Sequence, residues 1–124
     1  MLKNVLLVFL GGGVGSAVRY LIHVFVHSSF VSFFPVWTFL ANLIASFLVG
    51  IWIEKVNVQT LSVEYRYLLI TGFCGGLSTF STFSYENVHF LTEKQILLSA
   101  LYTLLSVVFC FTSTLLGTWI AERI

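Results

Sequence analysis

Residues 72–86 read Gly72-Phe73-Cys74-Gly75-Gly76-Leu77-Ser78-Thr79-Phe80-Ser81-Thr82-Phe83-Ser84-Tyr85-Glu86. The stretch sits inside a long apolar segment, yet it gathers three glycines and the hydroxyls of Ser78, Thr79, Ser81, Thr82 and Ser84. Clustered glycines weaken a helix because they expose backbone and cost conformational entropy. Inside a bilayer, a broken helix is tolerated only where protein or a watery cavity satisfies the freed N–H and C=O groups. Transport proteins build ion sites at such breaks, from half-helix ends and unwound carbonyls. The plainer reading is a small-residue face for helix packing. Hydroxyls alternating with phenylalanine favour a site.

Composition sets the surroundings of this stretch. The chain has 124 residues, of which 58% are hydrophobic and 9% charged, and its mean hydropathy is +0.99. Soluble domains carry about 25% charged residues, so the sequence reads as an integral membrane protein. A spanning helix needs about 20 apolar residues. Four spans with short loops therefore use up the chain, and no soluble catalytic domain fits beside them. A net charge of +1 gives no electrostatic footprint for nucleic acid. Cys74 and Cys110 fall inside expected spans, spaced for neither zinc nor redox chemistry. Lys3 followed by an apolar run could pass for a secretory signal. Arg19 and the resumed run at Tyr20-Leu21-Ile22 favour an uncleaved first span.

The expected spans are 5–26, 37–53, 67–91 and 96–120, the third interrupted at 75–79. Span one holds Gly11-Gly12-Gly13, Gly15, Ser16 and Ala17, small residues that let another helix approach closely. Its Arg19 must face the bundle interior, a water-filled cavity or a partner, or snorkel to the interface. Span two carries Asn42, with Thr38 one turn before and Ser46 one turn after, on one helical face. Asn42 reads either as interhelical glue or as an NH₂ donor facing a conduit. In span four, Ser99, Tyr102, Ser106, Cys110, Thr114 and Gly117 recur at helical spacing and share one face. That stripe is a packing face or a polar track. Tyrosine near mid-span is an odd choice for close packing.

The connecting segments are short. His27 to Pro35 form the first loop, with Ser28, Ser29 and Ser32, and Phe33, Phe34 and Trp37 fit an interfacial aromatic belt. His23 and His27 have the i, i+4 spacing of metal ligands, but with no carboxylate or thiol near them in sequence they read as interfacial. Glu86 lies two helical turns beyond the break, within reach of an interface. Lys3, Lys55, Arg66 and Arg123 fall on one side of the bilayer and Lys94 on the other, which places both termini in the cytoplasm.

Taken together, the motifs resemble the Fluc (CrcB) family of small fluoride channels, over essentially the whole chain. Gly11-Gly12-Gly13-Val14-Gly15-Ser16-Ala17-Val18-Arg19-Tyr20 is similar to that family's first-span signature. Phe39-Leu40-Ala41-Asn42-Leu43-Ile44-Ala45-Ser46-Phe47-Leu48-Val49-Gly50 is similar to its asparagine motif. Residues 72–84 with Glu86 are similar to its broken third helix. Three motifs in order and spacing are more specific than any one of them.

The resemblance implies an all-α membrane protein of four spans, assembled as an antiparallel, dual-topology homodimer with two fluoride pores. It implies a passive, selective fluoride channel, exporting cytoplasmic fluoride across a bacterial inner membrane. Phe80 and Phe83 match the pore phenylalanines, and Asn42 the pore asparagine. Gly75 and Ser78 match positions whose backbone carbonyls hold a central structural Na⁺. Tyr102 and Ser106 match the polar track, and Arg19 the first-span arginine. Cys110 departs from the serine expected on that track, and a thiol is a weaker donor than a hydroxyl.

The chemistry agrees with that reading. Fluoride is small and strongly hydrated, so a pore must replace its water with many donors. Thr38, Ser81, Thr82, Ser106 and Thr114 offer hydroxyls, Asn42 an amide NH₂, and phenyl rings their positive edges. None of these is a fixed counter-charge, which suits an ion that must also leave. A proton-coupled multidrug transporter of similar size needs a carboxylate in its first span, where this chain has Arg19 instead. A non-transporting scaffold has no need for Phe80 and Phe83 beside five hydroxyls at a helix break. An enzyme lacks a nucleophile–base pair, since His23, His27 and His89 have no evident acidic partners.

Overall fold

The computed structural model describes residues 1–29 and 34–124. Ser32 and Phe33 of the expected first loop lie outside the described residues. Among the described residues the architecture is helical throughout, without strands. Helix α1 covers Leu2–Ser29 and α2 covers Val36–Asn57. A third helix, α3 (63–77), begins with one α turn, passes through a π-helical stretch at Arg66–Cys74 and ends with Gly75–Leu77. Helix α4 covers Phe80–Thr92 and α5 covers Ile96–Ala121.

Among the described residues, three segments are long and apolar enough to cross a membrane: Leu2–His27, Val36–Asn57 and Ile96–Ala121, with mean hydropathies of 1.8, 2.0 and 2.0. A helix of 26 residues is about 39 Å long, more than the hydrocarbon thickness. This is a helical membrane protein. Residues 67–91, expected as one interrupted span, fall in two shorter helices separated at Ser78 and Thr79. There the backbone turns extended, with φ −75 and ψ 156 at Ser78 and φ −151 and ψ 116 at Thr79.

Close backbone contacts decide which helices run side by side. A Cβ on Gly11 would lie 2.0 Å from the Leu68 carbonyl oxygen, and one on Gly15 2.1 Å from that of Phe73. Across the same seam, a Cβ on Gly76 would meet the Gly12 carbonyl oxygen at 2.3 Å. Contact positions rise together along the two helices, so α1 and α3 are parallel, and Lys3 pairs with Glu64 where both begin. Helices α2 and α5 use the same device at Gly50 and Gly117, each of whose hypothetical Cβ atoms falls 2.2 Å from a carbonyl oxygen of the other helix. Without a hydrophobic drive between helices in lipid, packing and interhelical hydrogen bonds hold such seams. Ser113 accordingly donates to the Leu43 carbonyl at 3.1 Å, and Thr118 to that of Gly50 at 3.4 Å.

The buried core is small: Ala41, Ala45 and Leu77, with Val18, Ile22, Leu48 and Phe73 packed around it. Large apolar side chains such as Leu104, Val107, Phe111 and Trp119 point outward from α5. That inversion suits a protein whose solvent is hydrocarbon.

Candidate functional site

Construction of the site starts at the break. Ending α3 at Leu77 and restarting the helix at Phe80 strands the backbone of Thr79 in the interior. Asn42, on α2, takes up both of its polar groups. The Asn42 side-chain oxygen accepts the Thr79 N–H at 2.7 Å, and its Nδ2 donates to the Thr79 carbonyl at 3.3 Å. Thr79 in turn caps α4, its hydroxyl accepting the Thr82 N–H at 3.2 Å. The same hydroxyl lies 3.2 Å from Ser81 Oγ and 3.1 Å from Thr82 Oγ1. Three hydroxyls of the sequence cluster, those of Thr79, Ser81 and Thr82, are thus connected through Thr79, while that of Ser78 donates to the Cys74 carbonyl at 2.9 Å.

Carbonyls at the end of α3 lose their helical partners in this arrangement, those of Gly75 and Ser78 among them. In an α-helix the Gly75 carbonyl would accept from the Thr79 N–H, and the Ser78 carbonyl from that of Thr82. Those donors are engaged by Asn42 and by the Thr79 hydroxyl, while the Ser78 N–H turns back to the Cys74 carbonyl at 2.9 Å. Gly75 is exposed, and a Cβ there would meet only the Ile70 oxygen, at 4.0 Å.

A cavity of about 290 Å³ opens beside the break, walled by Asn42, Thr79, Phe80, Phe83, Ser106 and Cys110 among others. Phe80 is 78% exposed, while Phe83 is half-buried with its ring 5.6 Å from that of Phe80 and 5.0 Å from Tyr102. Ser106 is buried, and its hydroxyl has no hydrogen-bond partner among the described residues. A buried hydroxyl normally finds one, so this atom is a donor held ready at the cavity wall. The second N–H of the Asn42 amide is a further donor there. Among the described residues, neither lysine nor arginine lines this cavity.

Glu86 sits one layer away. Its two oxygens accept from Thr38 Oγ1 at 2.6 Å and from the Tyr102 hydroxyl at 2.7 Å, joining α2, α4 and α5 through one carboxylate. Arg19 lies elsewhere. Its Nε donates to the Gly76 carbonyl at 3.0 Å, and it lines a second cavity of about 370 Å³ with Ser16, His23, Thr38, Thr79 and Thr82. The two cavities share Thr79 as a common wall.

Thr114 stands apart from both, its hydroxyl donating to the carbonyls of Ser46 and Cys110 at 3.1 Å each. Sequence reasoning passed over Asn87, which bridges α4 and α5. Its Nδ2 donates to the Phe83 carbonyl at 3.0 Å, and its Oδ1 accepts from Ser99 at 2.7 Å and Thr103 at 3.0 Å. An amide in an apolar segment was the signal, the same one that draws attention to Asn42.

Comparison with known proteins fits this geometry. Residues 6–118 match the family described as CrcB-like protein, Camphor Resistance (CrcB). The chain belongs to the CrcB-like family. Among its relatives is a protein of Gloeothece citriformis named fluoride-specific ion channel FluC, 43% identical over 97% of this chain and 98% of its own length. A FluC of Flavobacterium psychrophilum is 38% identical over 99% of this chain and 100% of its own, and one of Methanococcus maripaludis is 40% identical over 94% and 93%. In this CrcB-like chain the residues gathered at the break come from α2, α3, α4 and α5. No single helix holds the site.

Proposed function

We propose that this protein is a passive, fluoride-selective ion channel, as its relatives are named, and not an enzyme. The observation that carries the reading is the cavity at the helix break. It offers the unpartnered Ser106 hydroxyl, an Asn42 N–H and the Phe80–Phe83 ring pair, with no lysine or arginine in its wall. Such donors replace the water of a small hard anion, and ring edges carry partial positive charge. A full positive charge would bind the ion too firmly for conduction, which needs weak, multiple sites. Thr38, Ser81, Thr82 and Tyr102 extend the hydroxyl path on either side, with Glu86 and Arg19 flanking it. Thr114, whose hydroxyl is committed to backbone, serves the α2–α5 seam.

In this reading α3 and α4 together make the fourth crossing of the bilayer. The functional unit is an antiparallel homodimer with two pores, in a bacterial inner membrane. Exposure of Phe80, Gly13 and Gly75 on the single chain supports a second copy lying across the break. The Gly75 and Ser78 carbonyls, freed from helical donors, suit a hard cation. These two groups from each subunit would hold a Na⁺ that ties the break regions together.

Fluoride efflux from liposomes carrying the purified protein, with chloride as control and a K⁺ ionophore to relieve charge build-up, tests the proposal. Rapid, ionophore-dependent release of fluoride and not chloride is expected. Efflux that requires a proton gradient would replace the channel with an exchanger, and no efflux from folded protein would leave a scaffold.

A further inference from the structure

His23 and His27 take no part in the site described above, yet they are not dispersed on the surface. Being four residues apart on α1, they project from one face. Their rings are stacked, with centroids 5.6 Å apart and planes inclined by 21°. Both are exposed. The Trp37 ring stands on edge against each of them, at 5.3 Å and 5.8 Å. Its indole nitrogen is a donor only, so Trp37 restrains the imidazoles without competing to ligate.

We infer that His23 and His27 form a binding site for a late first-row transition-metal dication, open on the remaining coordination positions to water. Imidazole suits Ni²⁺, Cu²⁺ and Zn²⁺, and a pair on successive turns can chelate one ion with a small rotation of each ring. The helix supplies a second attraction. His27 lies in the last turn of α1, at the negative end of the helix dipole, which favours cations. Arg19, one turn before His23 and lining the same cavity, is the opposing charge, and its guanidinium is turned to the Gly76 carbonyl. A bound dication would stand at the rim of the 370 Å³ cavity that His23 helps to line.

Trp37 supplies the test. Paramagnetic Ni²⁺ within a few ångströms of an indole quenches its emission. The full-length protein, without a polyhistidine tag and with Trp52 and Trp119 replaced by phenylalanine, would be titrated with Ni²⁺ in detergent. Saturable quenching is expected. Each of His23→Gln and His27→Gln should weaken it by at least about tenfold, the loss typical of disturbing a metal site, and His89→Gln should not. No saturable quenching, parental affinity in both variants, or loss in only one of them would overturn the paired site. The readout is binding, so it stands whether or not the protein conducts fluoride.

Discussion

Asn42 and Thr79 are joined by a reciprocal pair of hydrogen bonds, the amide oxygen taking the Thr79 N–H at 2.7 Å and the amide nitrogen reaching its carbonyl at 3.3 Å. The side chain stands in for the backbone that a continuous helix would have provided. Replacing it with leucine leaves both groups of Thr79 unpartnered, at about 1–3 kcal/mol for each unsatisfied group. Asn42→Leu should therefore lower the melting temperature in detergent. Asn42→Asp keeps the acceptor, so it should melt closer to the parent, yet a negative charge at the cavity should sharply reduce fluoride flux. Undiminished flux in the aspartate variant would place Asn42 outside the conduction path.

Phe80 separates function from stability in the other direction. Its ring is largely exposed on the single chain, so Phe80→Ile removes little of the fold's own packing. The variant should purify as the parent does and melt nearby, with fluoride efflux strongly reduced. Parental efflux would strike Phe80 from the site.

Asn87 holds the rotation of α4. With its amide on the Phe83 carbonyl and its oxygen shared by Ser99 and Thr103, it fixes how Phe83 meets Tyr102. Asn87→Leu should cost about 1–3 kcal/mol from the buried hydroxyl of Ser99 alone and lower flux although Asn87 itself does not line the cavity. Asn87→Asp keeps the acceptor for both hydroxyls and should recover most of the stability. Equal stability of all three proteins would show that the bridge carries no weight.

Gly50 marks an unforgiving seam. A methyl group there would sit 2.2 Å from the Thr114 oxygen and 2.9 Å from the Thr118 nitrogen. Gly50→Ala must push α2 and α5 apart and should leave little folded protein by size-exclusion chromatography. At Gly13, where a Cβ meets nothing within 4 Å, alanine should leave the fold of the single chain intact. A normal elution profile for Gly50→Ala would mean that the seam can open without loss.

The sequence shows some of these features and hides others, for physical reasons. Apolar runs long enough to span hydrocarbon announce α1, α2 and α5, because length and hydropathy are properties of the segment itself. Period along α5 likewise brings out the inward face of Ser99, Tyr102, Ser106 and Gly117, all buried. The break is visible in Gly75-Gly76 and the hydroxyls after it, since glycine and serine act on their own backbone. Partnerships across helices are a different matter. Nothing local says that Asn42 serves the backbone of Thr79, or that Glu86 reaches Thr38 and Tyr102 together. Thr114 shows the same limit: its place on the polar stripe is periodic, but the carbonyl of Ser46 that takes its hydroxyl belongs to another helix. The nine-residue π stretch at Arg66–Cys74 has no compositional mark.

The Asn42–Thr79 clamp also bears on how the chain is made. Helix α2 precedes the broken pair, so during synthesis the side chain that completes Thr79 reaches the bilayer before Thr79 does. Segment 63–92 arrives carrying backbone groups that hydrocarbon cannot satisfy, at several kcal/mol for each one left bare. If the segment makes the fourth crossing proposed above, its insertion is conditional on a neighbour already in place. The order of the helices along the gene is an assembly schedule, and a circular permutant that released α3 and α4 ahead of α2 should stall at the translocon.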